Sequence, residues 1–102
     1  MQKPFSAACE RNREPILEVM KQYNLYEGRL LEIGSGTGQH AVFFAEHFPK
    51  LHWVCSDVKG NHAGIKEWLK EAQLSNIHGP ETLMVGKDDF PGKRPFDYVF
   101  SS

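Results

Sequence analysis

The feature that most constrains this chain is a glycine-rich turn between an apolar strand pattern and a helical pattern. Residues 29–40 read RLLEIGSGTGQH, which places glycine at Gly34, Gly36 and Gly38. Glycine lacks a Cβ, permits a positive φ in a tight turn, and lets a ligand approach the backbone closely. A strand, a glycine turn and a helix in this order are typical of the nucleotide-binding start of a doubly wound α/β domain. The alternative is an ordinary glycine-rich turn that only closes the strand.

Two residues beside this turn narrow the class of ligand. Dinucleotide-binding turns follow Gly-x-Gly-x-x-Gly or end in Ala, and Gln39 stands where that small residue is required. Glu32 precedes the first glycine by two positions. Its carboxylate would repel a pyrophosphate but would attract an ammonium or a sulfonium group. The sequence therefore predicts S-adenosylmethionine as the ligand rather than a nicotinamide dinucleotide.

A second acidic residue stands at the end of the next predicted strand. Asp57 follows Gly38 by 19 residues, and the apolar strand pattern at 51–55 ends in Ser56 and Asp57. In such domains an acidic residue about twenty positions beyond the glycine motif accepts hydrogen bonds from a ribose diol. A carboxylate with two oxygens matches two hydroxyls well. The alternative is a turn or helix-capping aspartate ahead of Lys59.

Apolar spacing predicts helices and strands in alternation. The first helix has Pro15 in its first turn, the second runs from the glycine turn to Pro49, and the third is capped by Asn61. The predicted strands are residues 30–33, 51–55, 82–85 and 96–100. Strands that alternate with helices indicate a parallel sheet with right-handed crossovers. The predicted fold class is therefore α/β, a Rossmann-like three-layer αβα arrangement with a parallel sheet, truncated after the fourth strand.

Composition indicates one small domain, or part of one, and no disulfide framework. The chain has 102 residues, two cysteines and a net charge of −1. The charge disfavours nucleic acid and anionic membranes as main partners, and the contexts of Cys9 and Cys55 fit a reducing compartment. Since the N-terminus has no apolar signal region, we predict a cytoplasmic protein. The five histidines lack metal-ligand spacing, although His40 is near enough to the turn to contact the ligand.

Four segments together carry a resemblance to a known family. They are SAACERNREPIL at 6–17, LEIGSGTGQHA at 31–41, WVCSDV at 53–58 and FDYVFS at 96–101. They resemble the N-terminal half of the family that includes methyltransferase-like protein 26, within the class I S-adenosylmethionine-dependent methyltransferases. The resemblance implies a Rossmann-like sheet, S-adenosyl-L-methionine as cofactor, and an acceptor-binding half that follows residue 102.

The resemblance also implies a set of site residues. Glu32 and the glycines would line the methionine end of the cofactor, and Asp57 would hold its ribose. No catalytic residue and no metal site is assigned. The candidate cofactor-binding residues are Arg11, Asn12, Glu32, Gly34, Ser35, Gly36, Gly38, His40, Asp57, Val58 and Asp88.

Arg11 and Asp88 enter this set for separate reasons. Arg11 precedes the first predicted helix and can pair with the cofactor's carboxylate; the alternative is a solvated lead-in in which Asn12 caps the helix. At the third strand the family resembles aliphatic-Asp-aliphatic, whereas this chain has Met84. Met84 cannot accept the adenine amino hydrogen bond that an aspartate accepts, so Asp88 or Asp89 would take that role.

Three functional interpretations stay open. The chain is the S-adenosylmethionine-binding half of a methyltransferase, inactive alone because the acceptor-binding half is missing, with an acceptor that its residues do not identify. Alternatively, it is a fragment of an NAD(P)-dependent oxidoreductase, which Gln39 and Glu32 disfavour, or a noncatalytic Rossmann-like interaction module. Without a fifth strand, the apolar fourth strand would present an unpaired edge. We therefore expect the isolated chain to self-associate through that edge.

Overall fold

Four parallel strands form the centre of the structure, a computed structural model that describes residues 4–82 and 96–101. All neighbouring strands are parallel, which confirms the predicted parallel sheet. In spatial order the strands are β3 (Ile77–Thr82), β2 (Lys50–Asp57), β1 (Glu27–Ile33) and β4 (Tyr98–Phe100). Because β1 lies between β2 and β4, the glycine turn leaves from the interior of the sheet.

Three helices pack on one face of this sheet. They are α1 (Ala7–Gln22), α2 (Gln39–His47) and α3 (His62–Ala72), and a short 3₁₀ turn precedes α3. Among the residues that the structure describes, no helix combines the length and apolar character needed to cross a membrane.

The two faces of the sheet differ in what covers them. Side chains from all three helices join Leu30 and Trp53 in one buried core. On the opposite face, Leu31 and Val54 form a smaller cluster with Ile33 and with Phe96, which precedes β4. The described helices therefore cover a single face, and the second helical layer of the three-layer arrangement stays a prediction.

The first helix begins earlier than its apolar spacing predicts. Ser6 is its N-cap, and the Ser6 hydroxyl accepts a hydrogen bond from the backbone N–H of Cys9 at 3.3 Å. The helix then continues through Pro15, so the prediction that Pro15 lies in its first turn was wrong. Proline is normally disfavoured inside a helix because it lacks an N–H. As a result Arg11 and Asn12 lie within α1, and Asn12 does not cap it.

The third strand also differs from its prediction. The structure places it at Ile77–Thr82, whereas the prediction was 82–85; residues 83–95, with Met84, Asp88 and Asp89, lie outside the described residues. Gly79 and Pro80 fall inside β3, and both residue types are turn signals in a sequence. A Cβ on Gly79 would lie 2.6 Å from the carbonyl oxygen of Cys55. Glycine is thus needed there for β3 to approach β2.

Smaller differences concern one helix cap and the bounds of the strands: β1 covers Glu27–Ile33 rather than 30–33, and β2 covers Lys50–Asp57 rather than 51–55. Asn61 does precede α3, but its side chain makes no capping hydrogen bond. The fourth strand is limited to Tyr98–Phe100, which is shorter than the predicted 96–100. The second helix ends at His47, two residues before Pro49, as its spacing predicts.

Asn76 fastens the end of α2 to the start of β2. Its side-chain amide nitrogen lies 3.0 Å from the carbonyl oxygens of Ala45 and Phe48 and 2.9 Å from that of Leu51. The backbone carbonyl of Asn76 accepts a hydrogen bond from the backbone N–H of Trp53 at 2.8 Å. Asn76 is buried, and its amide is a further donor to carbonyls of which two also accept a backbone N–H, that of Ala45 from Phe48 and that of Phe48 from Leu51.

Candidate functional site

The glycine turn connects the carboxyl end of β1 to the start of α2. Gly34, Gly36 and Gly38 have φ angles of +73°, +60° and +94°, where glycine is favoured. A Cβ on Gly34 or Gly36 would meet no atom within 4 Å, whereas one on Gly38 would lie 3.2 Å from Cβ of Trp68 and 3.3 Å from Cα of Ile65. The first two glycines therefore leave open space beside the backbone, and the third lets α2 pack closely on α3.

Asp57 lies beside this open space at the carboxyl end of β2. One carboxylate oxygen accepts the backbone N–H of Gly36 at 2.8 Å, and the other accepts that of Val58 at 2.6 Å. Each oxygen has a further lone pair with which it can accept from a ligand hydroxyl. The structure thus brings Gly36 and Asp57 together, although they are 21 positions apart in the chain.

Ser35 anchors the turn to β2. Its backbone N–H donates to the carbonyl of Ser56 at 2.8 Å, and its hydroxyl accepts from the backbone N–H of Ser56 at 3.0 Å. The hydroxyl of Ser56 in turn donates to the carbonyl of Glu32. Ser35 and Ser56 are both buried, so these contacts fix the shape of the turn.

Glu32 is buried beneath the turn, with 1% of its surface exposed. Its Oε1 accepts a hydrogen bond from the indole Nε1 of Trp53 at 3.1 Å. Burial raises the pKa of Glu32 to about 7; hydrogen bonds from Ser35 and Trp53 oppose this rise, and the charge of Asp57 adds to it. Near neutral pH the side chain is therefore partly protonated, whereas an exposed glutamate is ionised. Burial also raises the pKa of the neighbouring Cys55 thiol.

Gln39 holds the start of α1 against the glycine turn. Its side-chain oxygen accepts from the backbone N–H of Ser6, and its side-chain nitrogen donates to the carbonyl of Ser6 at 3.3 Å. The hydroxyl of Thr37 lies 3.2 Å from the same side-chain oxygen. The sequence showed only that Gln39 excludes a dinucleotide motif, and its role as a tether was missed. One signal in the sequence could have indicated this contact: the segments SAACERN and GSGTGQH both carry the family resemblance.

Residues Pro4–Ser6 form a segment that we call the N-terminal strap. The carbonyl of Pro4 accepts a hydrogen bond from the indole Nε1 of Trp68. Gly64 makes room for the strap, because a Cβ there would lie 2.7 Å from Cγ of Pro4. Phe5 is 66% exposed between these contacts. The strap thus runs from α1 across the start of α2 to α3, beside the glycine turn.

His40 lies behind the strap in the first turn of α2. Burial lowers its pKa, and a hydrogen bond with the backbone of Cys9 partly opposes this effect. The ring packs against that of Phe44, with centroids 5.3 Å apart. His40 is therefore a neutral, buried ring at neutral pH.

The remaining predicted site residues are further out or lie outside the described residues. Arg11 and Asn12 are exposed on α1, beyond the Ser6 contact that ties this helix to the turn. Their neighbours Glu10 and Arg13 form an ion pair of 2.8 Å. Asp88 lies in the part of the chain that the structure does not describe.

This fold, with its turn between β1 and α2, is that of the class I S-adenosylmethionine-dependent methyltransferases. It is similar to the S-adenosylmethionine-dependent methyltransferase SibL, with a TM-score of 0.80 and 21% identity over 94% of this chain and 27% of that one. The chain belongs to the family described as protein of unknown function (DUF938), which matches residues 3–102.

Two further similarities have higher sequence identity. The structure of PKMT2 from Rickettsia typhi in complex with AdoHcy has a TM-score of 0.59 and 29% identity, over 76% of this chain and 15% of that one. Ribosomal RNA small subunit methyltransferase C of Pseudoalteromonas translucida (strain TAC 125) is 33% identical over 76 residues, which are 74% of this chain. The chain spans 21% of that curated relative.

Proposed function

We propose that this chain binds S-adenosylmethionine at the glycine turn, as the cofactor-binding part of a class I methyltransferase. The observation that carries the proposal is the open space beside Gly34 and Gly36, next to the carboxylate of Asp57. Asp57 would accept hydrogen bonds from the ribose diol, and the glycine backbone would border the methionine end. AdoHcy bound to the similar PKMT2 of Rickettsia typhi supports the same class of ligand.

The buried carboxyl of Glu32 fits a ligand with a positive charge. A cation near a carboxyl favours its ionised form. Because burial raises the pKa of Glu32 to about 7, a bound cation would increase the negative charge of this side chain near neutral pH. A pyrophosphate would instead oppose ionisation. Glu32 would therefore act through the electrostatic potential of the turn, because its side chain is buried and hydrogen-bonded to Trp53.

The described residues would contribute chiefly to positioning. When bound, S-adenosylmethionine supplies an activated methyl group for transfer. Asp57 and the glycine turn would fix its orientation, and such positioning is a large part of the catalysis of bimolecular reactions. A general base is needed only where the acceptor must lose a proton. The methyl acceptor is unknown, and no catalytic residue is assigned.

We also propose the narrower kinship with methyltransferase-like protein 26. Its support is that the two most specific segments of the resemblance touch, through the hydrogen bonds between Gln39 and Ser6. Arg11, in the first of these segments, would pair with the cofactor's carboxylate. A cytoplasmic location remains part of the proposal, and the free thiols of Cys9 and Cys55 are consistent with it.

Self-association through β4 is likewise proposed. Among the described strands β4 is at one edge of the sheet, and Val99 within it is 56% exposed. Unpaired, apolar strand edges favour pairing between chains. Sedimentation velocity over a range of concentrations would test this, and an unchanging monomer would contradict it.

Calorimetric titration of S-adenosylmethionine and of NAD tests the proposed cofactor. We expect binding of the first ligand, no binding in Gly36→Val, and affinity weakened by about 10- to 150-fold in Asp57→Ala, as for a lost hydrogen bond to a charged group. Glu18→Gln is the matched control, because it removes an exposed carboxylate from α1. Thermal melts verify that each variant is folded. Unchanged affinity in both site variants, or a preference for NAD, would overturn the proposal.

A further inference from the structure

His62, the first residue of α3, is hydrogen-bonded to the carboxyl end of β2. Its ring nitrogen Nε2 lies 3.0 Å from the backbone carbonyl oxygen of Asp57, the last residue of that strand. Since a carbonyl oxygen can only accept, Nε2 carries a proton and donates this hydrogen bond, whether the ring is neutral or charged. The side chain of His62 is therefore tied to the residue whose carboxylate lies beside the glycine turn.

The peptide group that His62 contacts is also held at its N–H. The carbonyl of Asp57 and the N–H of Val58 belong to one peptide group, and this N–H donates to Oδ1 of Asp57 at 2.6 Å. Because a peptide group is planar, its carbonyl and its N–H turn together. With His62 on the oxygen and the Asp57 carboxylate on the N–H, this peptide cannot turn without disturbing both hydrogen bonds.

The second carboxylate oxygen of Asp57 connects this peptide to the glycine turn. Oδ2 accepts the backbone N–H of Gly36 at 2.8 Å. Two backbone N–H groups thus orient the carboxylate, one in the glycine turn and one in the peptide that His62 holds. If that peptide turned, the lone pairs that remain on the two oxygens would point in other directions. Hydrogen bonds from a diol to both oxygens depend on those directions.

We propose that His62 is a positioning residue, which fixes the carboxylate of Asp57 for the ribose of the cofactor by holding the backbone carbonyl of Asp57. The part of this inference that concerns the ribose rests on the proposed function. The part that concerns the carboxylate does not, because its hydrogen bonds are all within the protein. His62 acts through Asp57 and needs no contact with the ligand.

Amide hydrogen exchange tests the inference in the ligand-free protein. His62→Phe keeps a ring but loses the donor, so the N–H groups of Gly36 and Val58 should exchange about 3- to 10-fold faster, as for one net hydrogen bond. His62→Gln should restore both rates, because its amide nitrogen is also a donor on a side chain of similar length. Unchanged rates in His62→Phe, or no recovery in His62→Gln, would overturn the proposal.

A second histidine provides a matched control. Nδ1 of His47 lies 2.8 Å from the backbone carbonyl oxygen of Phe43, and His47 is at the opposite end of α2 from the glycine turn. His47→Phe therefore loses the same kind of contact elsewhere, and it should leave exchange at Gly36 and Val58 unchanged. Faster exchange throughout the sheet in His62→Phe would indicate a merely structural role and would also overturn the proposal.

Titration of S-adenosylmethionine measures the effect on the ligand. We expect about 3- to 10-fold weaker binding in His62→Phe and recovery in His62→Gln. In Asp57→Ala the same His62→Phe change should cause no further loss, because no carboxylate is left to orient. Equal losses with and without the carboxylate would contradict a role through Asp57. If the original protein does not bind S-adenosylmethionine, the proposed cofactor is wrong, and amide exchange still decides whether His62 holds Asp57.

Discussion

The side-chain amide of Gln39 pairs with the backbone of Ser6 through two hydrogen bonds, one in each direction. The two residues are 33 positions apart in the chain. An amide side chain can donate to a backbone carbonyl and accept from a backbone N–H at once, whereas an ionised carboxylate can only accept. This pair therefore couples the start of α1 to the turn that carries the proposed cofactor site.

Removing this tether should loosen the N-terminal strap. In Gln39→Ala we expect amide hydrogen exchange at Ser6 to accelerate by one to two orders of magnitude, since the loss of a satisfied hydrogen bond is worth about 1–3 kcal/mol. Gln39→Glu keeps an acceptor but loses the donor, and it should give an intermediate rate. Gln22→Ala, at the exposed end of α1, is the control. Equal exchange rates in all four proteins would show that the pair contributes nothing to order in the strap.

The glycines of the turn should differ in what they contribute. Alanine at Gly36 has space but an unfavourable φ, so we expect a loss of stability of about 1–2 kcal/mol and a weaker affinity for S-adenosylmethionine. Alanine at Gly38 has the same backbone penalty and also crowds Trp68 and Ile65. It should be the more destabilising change. Urea denaturation measures both variants, and equal losses of stability would refute the assignment of packing to Gly38.

The titration of Glu32 should make stability depend on pH. Burial raises its pKa from the ordinary value of 4.5 to about 7 in the folded protein. Its contribution to stability is therefore fully present below pH 4.5 and is lost as the pH rises through 7. Glu32→Gln cannot titrate, so its stability relative to the original protein should increase over this interval by on the order of 3 kcal/mol.

Urea denaturation from pH 4 to pH 8 measures this difference between the two proteins. The contribution of His40 is common to both proteins and cancels in the comparison. Glu18→Gln removes an exposed carboxylate. Its free energy of unfolding should depend on pH in the same way as that of the original protein. A constant difference between Glu32→Gln and the original protein across this range would contradict the raised pKa.

Binding of a cationic cofactor should release a proton from Glu32. A sulfonium near the turn stabilises the carboxylate and lowers the pKa of Glu32. Between pH 6 and pH 7 the observed binding enthalpy should then differ between phosphate and imidazole buffers, which have different ionisation enthalpies. The difference should vanish in Glu32→Gln. If the binding enthalpy of both proteins is the same in the two buffers, the charge of the ligand does not change the protonation of Glu32.

Asn76 should be one of the most sensitive polar positions for folding. Its amide nitrogen contacts carbonyl oxygens of Ala45, Phe48 and Leu51. Asn76→Ala leaves these buried acceptors without that donor, so we expect a loss of about 2–4 kcal/mol, above the usual range for one hydrogen bond. Ser75→Ala, at the exposed neighbouring position, should change little. Comparable melting temperatures for the two variants would contradict this role.

Local patterns predicted those elements whose sequence and tertiary surroundings agree. Apolar spacing, the glycine turn and Pro49 predicted β1, β2 and α2, and the structure confirms these three elements, with both strands longer than predicted. The prediction placed the start of α1 too late because proline normally marks the beginning or the end of a helix, and α1 contains Pro15. The helix in fact begins after its N-cap Ser6. β3 was misplaced because its pairing with β2 outweighs the turn propensity of Gly79 and Pro80.

In the candidate site, too, some features could be predicted from the sequence and others depend on tertiary contacts. The proximity of Gly36 and Asp57 follows from two strands of a parallel sheet that end at one edge, so the sequence could predict it. The tether from Gln39 to Ser6 joins distant segments, and no periodicity encodes such a contact. The burial of Glu32 depends on Trp53 from the neighbouring strand, which spacing alone does not reveal.

The two tryptophans are separate fluorescent reporters, one for the buried Glu32 beneath the glycine turn and one for the N-terminal strap. The indole of Trp53 is hydrogen-bonded to Glu32, whereas that of Trp68 is bonded to the strap at Pro4. With Trp68→Phe, the remaining emission should follow the charge of the buried carboxyl. With Trp53→Phe, it should follow attachment of the strap. One fluorimeter, without any added dye, could thus follow protonation beneath the turn and movement beside it as independent signals.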